Sequence, residues 1–125
     1  MADPLGILLI SGAHERAHYA FMLAAGAAAV GRPVVLFATN GGCRALLRDW
    51  SGLGDAGRDA GIRACGVAGL DELRAAAADL GVRLLACDAG LRTERVDPAL
   101  LLPGAEVAGI PTFLSAVGTG QIVTL

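Results

Sequence analysis

The chain has 125 residues, which predicts a single domain over residues 1–125. Hydrophobic residues make up 54% of the chain, charged residues only 18%, and the formal net charge of -2 argues against nucleic acid as a partner. All ten basic residues are arginine, and the absence of lysine excludes Schiff-base chemistry and a phosphate-binding P-loop.

The first half of the chain predicts two buried strands joined by a helix. Residues 6–10 form a short apolar run that is typical of a strand covered on both faces. An alanine-rich helix is predicted over residues 14–30, because it is apolar almost all round and a glycine follows it. A second buried strand over residues 33–38 and a short helix over residues 43–48 come next.

Residues 49–61 predict a loop, because four of these thirteen residues are glycine. A loop of this length in a small domain acts as a lid or as an oligomer contact, and Trp50 is the one large side chain that can anchor it. The remaining predicted elements are a helix over 70–80, a strand over 82–87, a short helix from 88, a turn over 96–102, a strand over 105–108, a helix over 111–117 and a strand over 121–125.

This alternation of strands and helices predicts an α/β fold. The expected architecture is a three-layer α/β/α sandwich with a mostly parallel sheet of about five strands, flavodoxin-like or Rossmann-like. No segment is long and apolar enough for a membrane span, and the start lacks the basic region of a signal peptide. We therefore expect a cytoplasmic protein with reduced thiols, and the high apolar fraction predicts a homo-oligomer.

Reactive side chains follow three predicted strands at the point where each strand ends. His14 follows the first strand, Cys43 follows the second, and Cys87 closes the third. Because ligands of parallel sheets bind at the carboxyl ends of the strands, we expect these residues to line one site. In a flavodoxin-like strand order of 2-1-3, His14 lies beside Cys87 and can exchange a proton with it. Cys43 then lies roughly 10 Å from Cys87, too far for a disulfide unless a loop moves.

Cys87 is the strongest catalytic candidate. Backbone N–H groups at the start of the following helix, with Asp88 as its N-cap, would stabilise a thiolate at this position. The Asp88 carboxylate opposes that negative charge, and Arg92 one turn later can offset it. The alternative is a buried cysteine with no chemical role, and position alone leaves these two interpretations open.

The other titratable candidates are weaker. Cys43 follows Gly41-Gly42 at a helix start, but a small core residue beneath a turn is the favoured interpretation. Cys65 has no predicted partner and is interpreted as structural. His14 and His18 share one helix face without the pattern of a zinc protease, so no metal site is predicted. The chain also lacks a GxGxxG loop and a GxSxG elbow, and no cofactor is expected.

Several segments together resemble the DsrE/DsrF-like family of small sulfur-relay proteins. They are Ser11-Gly12 after the first strand, the helix ending at Gly31, the strand leading to Asn40-Gly41, residues 80–87 ending in Cys87, and residues 104–109 followed by Thr112-Phe113. The resemblance covers most of the chain and implies a Rossmann-like fold assembled as a trimer or hexamer. It also implies that Cys87 carries a persulfide, exchanged with sulfur carriers of the TusA or rhodanese type.

The sequence thus predicts a sulfurtransferase or persulfide carrier with Cys87 as its catalytic residue. The residues expected to bind at the same edge of the sheet are Ser11, Gly12, His14, Asn40, Gly41, Gly42, Cys43 and Asp88. Two alternatives remain open. One is a non-catalytic oligomeric module that binds a small ligand, and the other is a thiol redox protein in which Cys43 resolves an oxidised Cys87.

Overall fold

The computed structural model describes residues 2–125 and contains one sheet of five parallel strands. The strands are β1 (Leu5–Leu9), β2 (Val34–Ala38), β3 (Arg83–Cys87), β4 (Ala105–Ala108) and β5 (Gln121–Thr124). The helices are α1 (His14–Ala29), α2 (Arg58–Ala64), α3 (Leu70–Asp79), α4 (Asp88–Thr93) and α5 (Ile110–Val117), and 3₁₀ turns span Asn40–Leu46 and Pro98–Leu100. The predicted α/β class with five parallel strands is confirmed.

The order of the strands differs from the expected one. Across the sheet it is β4-β3-β2-β1-β5, so β2 separates β1 from β3 and the predicted 2-1-3 order is wrong. Both orders satisfy the same sequence pattern, because each joins parallel strands through helices. In the observed register, Ala38 at the end of β2 lies opposite Ala86 of β3. The carboxyl ends of β2 and β3 are therefore neighbours, about 5 Å apart.

Helices of different size cover the two faces of the sheet. Alternate residues of β1, beginning with Leu5, pack with α1 and α3 in the main core, on what we call the first face. The second face carries a smaller cluster in which Phe113 and Val117 of α5 pack against Phe37. A Cβ at Gly6 would lie 2.5 Å from Val117 Cγ2, so glycine at this position allows α5 to lie directly on the sheet.

The segment predicted as a loop over residues 49–61 is partly helical. Helix α2 begins at Arg58, inside that range, although it contains a glycine that disfavours a helix. Burial of Asp59 against α1 and α3 outweighs this local preference, and the irregular part ends at residue 57. Trp50 anchors the segment, because its Nε1–H donates to Asp71 Oδ1 at 2.7 Å and its ring lies against His14.

The surface retains large apolar side chains on α5 and on both edge strands of the sheet. Val107 lies on β4, Ile122 on β5, and Ile110 and Leu114 on α5, and each is about half exposed. Within residues 2–125, no helix combines the length and apolarity needed to cross a membrane.

Candidate functional site

The carboxyl ends of β2 and β3 bring two cysteines together. Cys43 lies in the 3₁₀ turn Asn40–Leu46 that follows β2, and Cys87 is the last residue of β3. The two thiols are close enough that repulsion from Cys87 contributes to the raised pKa of Cys43. The separation of two strand spacings expected from the sequence is wrong, because β1 does not lie between the two strands. This edge is the candidate site.

Cys87 forms the junction between β3 and α4. Its Sγ accepts a hydrogen bond from the Gly90 backbone N–H at 3.3 Å, so Cys87 itself is the N-cap of α4. The prediction that Asp88 is the N-cap is wrong, and Asp88 is instead the first helical residue. The Cys87 residue is 8% exposed and therefore lies just beneath the surface of the edge. The Gly90 N–H is therefore directed at the Cys87 sulfur.

Asp88 and Arg92 form an ion pair one turn apart on α4. The Arg92 Nε lies 3.3 Å from each carboxylate oxygen of Asp88. Both side chains are exposed, so the pair contributes little to stability. Its consequence is local, because the guanidinium partly neutralises the carboxylate that follows Cys87. The predicted compensation of Asp88 by Arg92 thus has a structural basis.

Cys43 has a different environment from its neighbour. It is 0% exposed, and its thiol donates to the Ala38 carbonyl oxygen at 3.6 Å. Burial raises the pKa of the Cys43 thiol to about 11, and repulsion from Cys87 and Glu94 adds to that effect. A hydrogen bond from the Cys87 backbone and attraction from Arg44 act in the opposite direction but are outweighed. Cys43 is therefore a neutral thiol at pH 7.

Close packing holds α4 against the Asn40–Leu46 turn. A Cβ at Gly90 would lie 2.5 Å from the Asn40 nitrogen and 2.7 Å from Thr39 Oγ1, so no larger residue fits there without a shift. Arg44 and Glu94 form an ion pair across the same junction. Sequence reasoning missed Gly90, although a glycine in the first turn of a helix is a signal of close backbone approach.

The remaining predicted binding residues shape the loops of the same edge. A Cβ at Gly41 would lie 3.0 Å from the Gly12 backbone, and a Cβ at Gly42 would lie 2.3 Å from the Leu9 carbonyl oxygen. Ser11 Oγ accepts from the Ala13 N–H at 3.1 Å, and Asn40 adopts a positive φ of 50°. Ser11, Gly12, Asn40, Gly41 and Gly42 thus lie at the predicted edge, where their contacts are with protein. Their binding role stays a prediction.

His14 lies away from Cys87. Its Nε2 is 2.8 Å from Asp59 Oδ1 on α2, and its ring stacks on His18 with 5.6 Å between centroids. The expected proximity of His14 to Cys87 is wrong, because β2 separates their strands and the His14 ring packs among α1, α2 and Trp50 instead. His14 is fully buried, so it has no access to a ligand at the edge.

Asp59 is a buried carboxylate that the sequence did not single out, because it lies in the segment predicted as a loop. Burial alone would raise the pKa of Asp59. The Leu70 N–H, a hydrogen bond from His14 and the positive charge of Arg63 act against burial and hold that pKa below its ordinary value. The carboxylate therefore joins α1, α2 and the start of α3.

Asp59→Asn is expected to destabilise the protein by about 1–2 kcal/mol at pH 7, because an amide accepts weaker hydrogen bonds and repels Arg63. The lowered pKa sets the sign of the pH dependence. The wild-type advantage is complete above the ordinary pKa of 3.8 and is lost as the pH falls through the lower folded value. Denaturant unfolding of both proteins between pH 7 and pH 3 measures the difference in their free energies of unfolding. A difference that does not change with pH would contradict the role of the Asp59 carboxylate.

Comparisons with known proteins identify the fold. The ychN protein from E. coli superimposes with a TM-score of 0.75 at 12% sequence identity, over 99% of this chain and 100% of that one. MTH1491 from Methanobacterium thermoautotrophicum, a protein of unknown function, superimposes with a TM-score of 0.60 at 16% identity and the same coverage. No family model matches the sequence, and no curated protein matches it significantly. Identities this low show a common fold and nothing more.

Proposed function

We propose that the protein is a sulfur carrier in which Cys87 receives, holds and passes on one sulfur atom as a persulfide. The proposal builds on the resemblance of the sequence to the DsrE/DsrF-like family, whose sulfur-transfer branch uses a cysteine at the position of Cys87 in this role. The expected partners are cytoplasmic sulfur carriers of the TusA or rhodanese type. No resident cofactor is required, because thiol exchange at sulfur proceeds without one.

The observation that carries the proposal is the contrast between two neighbouring thiols. Cys43 is fully buried and has a pKa raised to about 11, which keeps it protonated and unreactive. Cys87 lies at the edge, with a backbone N–H aimed at its sulfur and Arg92 near the adjoining carboxylate. Nucleophilicity at sulfur requires a thiolate that a donor can reach, so Cys87 is the better of the two nucleophiles.

The transfer is balanced without an external oxidant. The Cys87 thiolate attacks the outer sulfur of a donor persulfide, the donor S–S bond breaks, and the donor leaves as a thiolate. The transferred sulfur keeps its proton, and the product is a Cys87 persulfide. An acceptor thiolate then attacks the outer sulfur, which restores the Cys87 thiolate. In both steps the Gly90 N–H stabilises negative charge on the Cys87 sulfur.

A homo-oligomer, expected to be a trimer or hexamer, is part of the proposal. The half-exposed side chains Val107, Ile110, Leu114 and Ile122 lie on α5 and the two edge strands. Edge strands with apolar side chains invite pairing or coverage by another chain. Assembly over α5 and one edge strand would cover part of this surface and leave the carboxyl edge of β2 and β3 available to partners.

The location of the transferred sulfur tests the proposal directly. The reduced wild-type protein is treated briefly with glutathione persulfide, its thiols are alkylated, and it is digested with trypsin. Cleavage after arginine separates the three cysteines onto peptides 17–44, 64–74 and 84–92. One extra sulfur is expected on peptide 84–92. Cys65 is the internal control because it is the exposed cysteine. If most of the added sulfur is found on peptide 64–74, the most accessible thiol has reacted and the proposal is overturned.

A redox function is the second candidate, and the adjacency of β2 and β3 favours it. Peroxide would oxidise the Cys87 thiolate to a sulfenic acid, and attack by the Cys43 sulfur would form a disulfide and release water. The raised pKa of Cys43 makes the second step slow, which is why sulfur transfer ranks first. A link between peptides 17–44 and 84–92 in a non-reducing digest after mild peroxide would reverse this ranking.

A further inference from the structure

A cavity of about 660 Å³ opens on the first face, between α1 and α2, away from the Cys87 edge. Its volume falls within the range typical of small-molecule sites. One wall is formed by α1 and the other by α2 and the residues after it. The lining includes Arg16, His18, Met22, Arg58, Ile62 and Cys65.

The cavity combines an apolar wall with an excess of positive charge. Met22, Ile62 and Val67 provide aliphatic surface on both sides of it. Arg16 and Arg58 line the same space, and neither forms an ion pair with any residue in the range 2–125. Glu15 is the one acidic side chain among the lining residues, so the lining side chains carry two arginine charges against one carboxylate.

His18 provides a ring nitrogen that has no hydrogen-bond partner among residues 2–125. The residue is 5% exposed and lines the cavity, and its Nε2 lies 2.9 Å from the Ala68 carbonyl oxygen. A carbonyl oxygen can only accept, so Nε2 carries the proton and donates it. In the neutral ring the other nitrogen, Nδ1, is an acceptor, and it bonds to no other group among residues 2–125. Stacking on the fully buried His14 fixes the plane of the ring.

We propose that this cavity binds a small amphipathic organic anion. Its carboxylate or phosphate pairs with Arg16 and Arg58, its apolar part packs on Met22 and Ile62, and a donor group of the ligand bonds to His18 Nδ1. Arginine suits this task because its planar group recognises anionic oxygens in pairs. The site is separate from Cys87, because the cavity lining contains neither Cys87 nor any residue of α4 or of the Asn40–Leu46 turn.

Cys65 makes the proposal testable, since it is an exposed free thiol that lines the cavity. The probe is 4-phenylbutyrate, an aromatic carboxylate, and 4-phenylbutanol is the control with the same apolar body and no charge. The rate of Cys65 alkylation by iodoacetamide is measured in the wild-type protein against the concentration of each compound. We expect saturable protection of Cys65 by 4-phenylbutyrate and much weaker protection by 4-phenylbutanol.

Two variants, each of which replaces one arginine by glutamine, test the role of Arg58. Arg58→Gln should weaken protection by 4-phenylbutyrate roughly tenfold, the usual effect of losing a charge-assisted hydrogen bond. Arg48→Gln is the matched control, because Arg48 is exposed and lies outside the cavity lining, and it should leave protection unchanged. Equal protection by both compounds, no protection by either, or equal weakening in both variants would overturn the proposal.

Discussion

Cys87→Ser is expected to abolish sulfur loading from glutathione persulfide. A serine hydroxyl is not ionised near pH 7 and is a poor nucleophile toward sulfur, so the first transfer step has no attacking atom. The hydroxyl can still accept the hydrogen bond from the Gly90 N–H, and the β3–α4 junction should therefore keep its geometry. Intact-protein mass spectrometry, which counts added sulfur atoms, measures the effect.

Two further cysteine variants make this experiment specific. Cys65→Ser should load sulfur as the wild-type protein does, because Cys65 is exposed and lies outside the candidate site. Cys43→Ala should also load, because the buried Cys43 thiol takes no part in the transfer. Circular dichroism of all three variants checks that they are folded. Normal loading of a folded Cys87→Ser protein would show that another thiol accepts the sulfur and would refute the assignment.

Gly42→Ala is expected to destabilise the fold by about 3 kcal/mol, at the upper end of what overpacking usually costs. The new Cβ would lie 2.3 Å from the Leu9 carbonyl oxygen and 2.9 Å from the Leu9 carbonyl carbon, both of them strand backbone. The Asn40–Leu46 turn would have to move away from β1, which breaks the hydrogen bond from the Gly42 N–H to the Ile10 oxygen. For a domain of this size we expect Tm to fall by roughly 10 °C.

Gly26→Ala is the matched control for this substitution. Gly26 lies within α1, and a Cβ added there meets no atom within 4 Å apart from the neighbouring backbone of its own helix. Because glycine inside a helix costs roughly 0.5–1 kcal/mol relative to alanine, this variant should be more stable than the wild-type protein. Thermal unfolding of both variants gives the comparison. A Gly42→Ala protein with wild-type Tm would contradict the close contact between the turn and β1.

The local pattern of the chain was sufficient to place most of the secondary structure. Apolar runs bounded by polar or glycine residues located all five strands, including β4 at its observed bounds of Ala105–Ala108. The alanine-rich pattern and the glycine after it located α1 to within one residue. One exception is the helix predicted over residues 43–48, because the chain there forms the 3₁₀ turn Asn40–Leu46 instead. The other is α2, because its first turn lies in a glycine-rich segment and the pairing of Asp59 with His14 comes from outside that segment.

The position of Cys87 at the end of a strand also followed from the sequence alone, because a short apolar run and the start of a helix are both local features. Its neighbours depended on the tertiary structure. Parallel strands joined by helices can assemble in several orders that share one sequence pattern, so nothing local specifies which strands pair. The pairing of β2 with β3 places Cys43 beside Cys87, and the packing of α2 on α1 directs His14 to Asp59. The chemistry around Cys87 therefore depends on the pairing of strand residues that are 48 positions apart in the chain, which only the folded chain brings together.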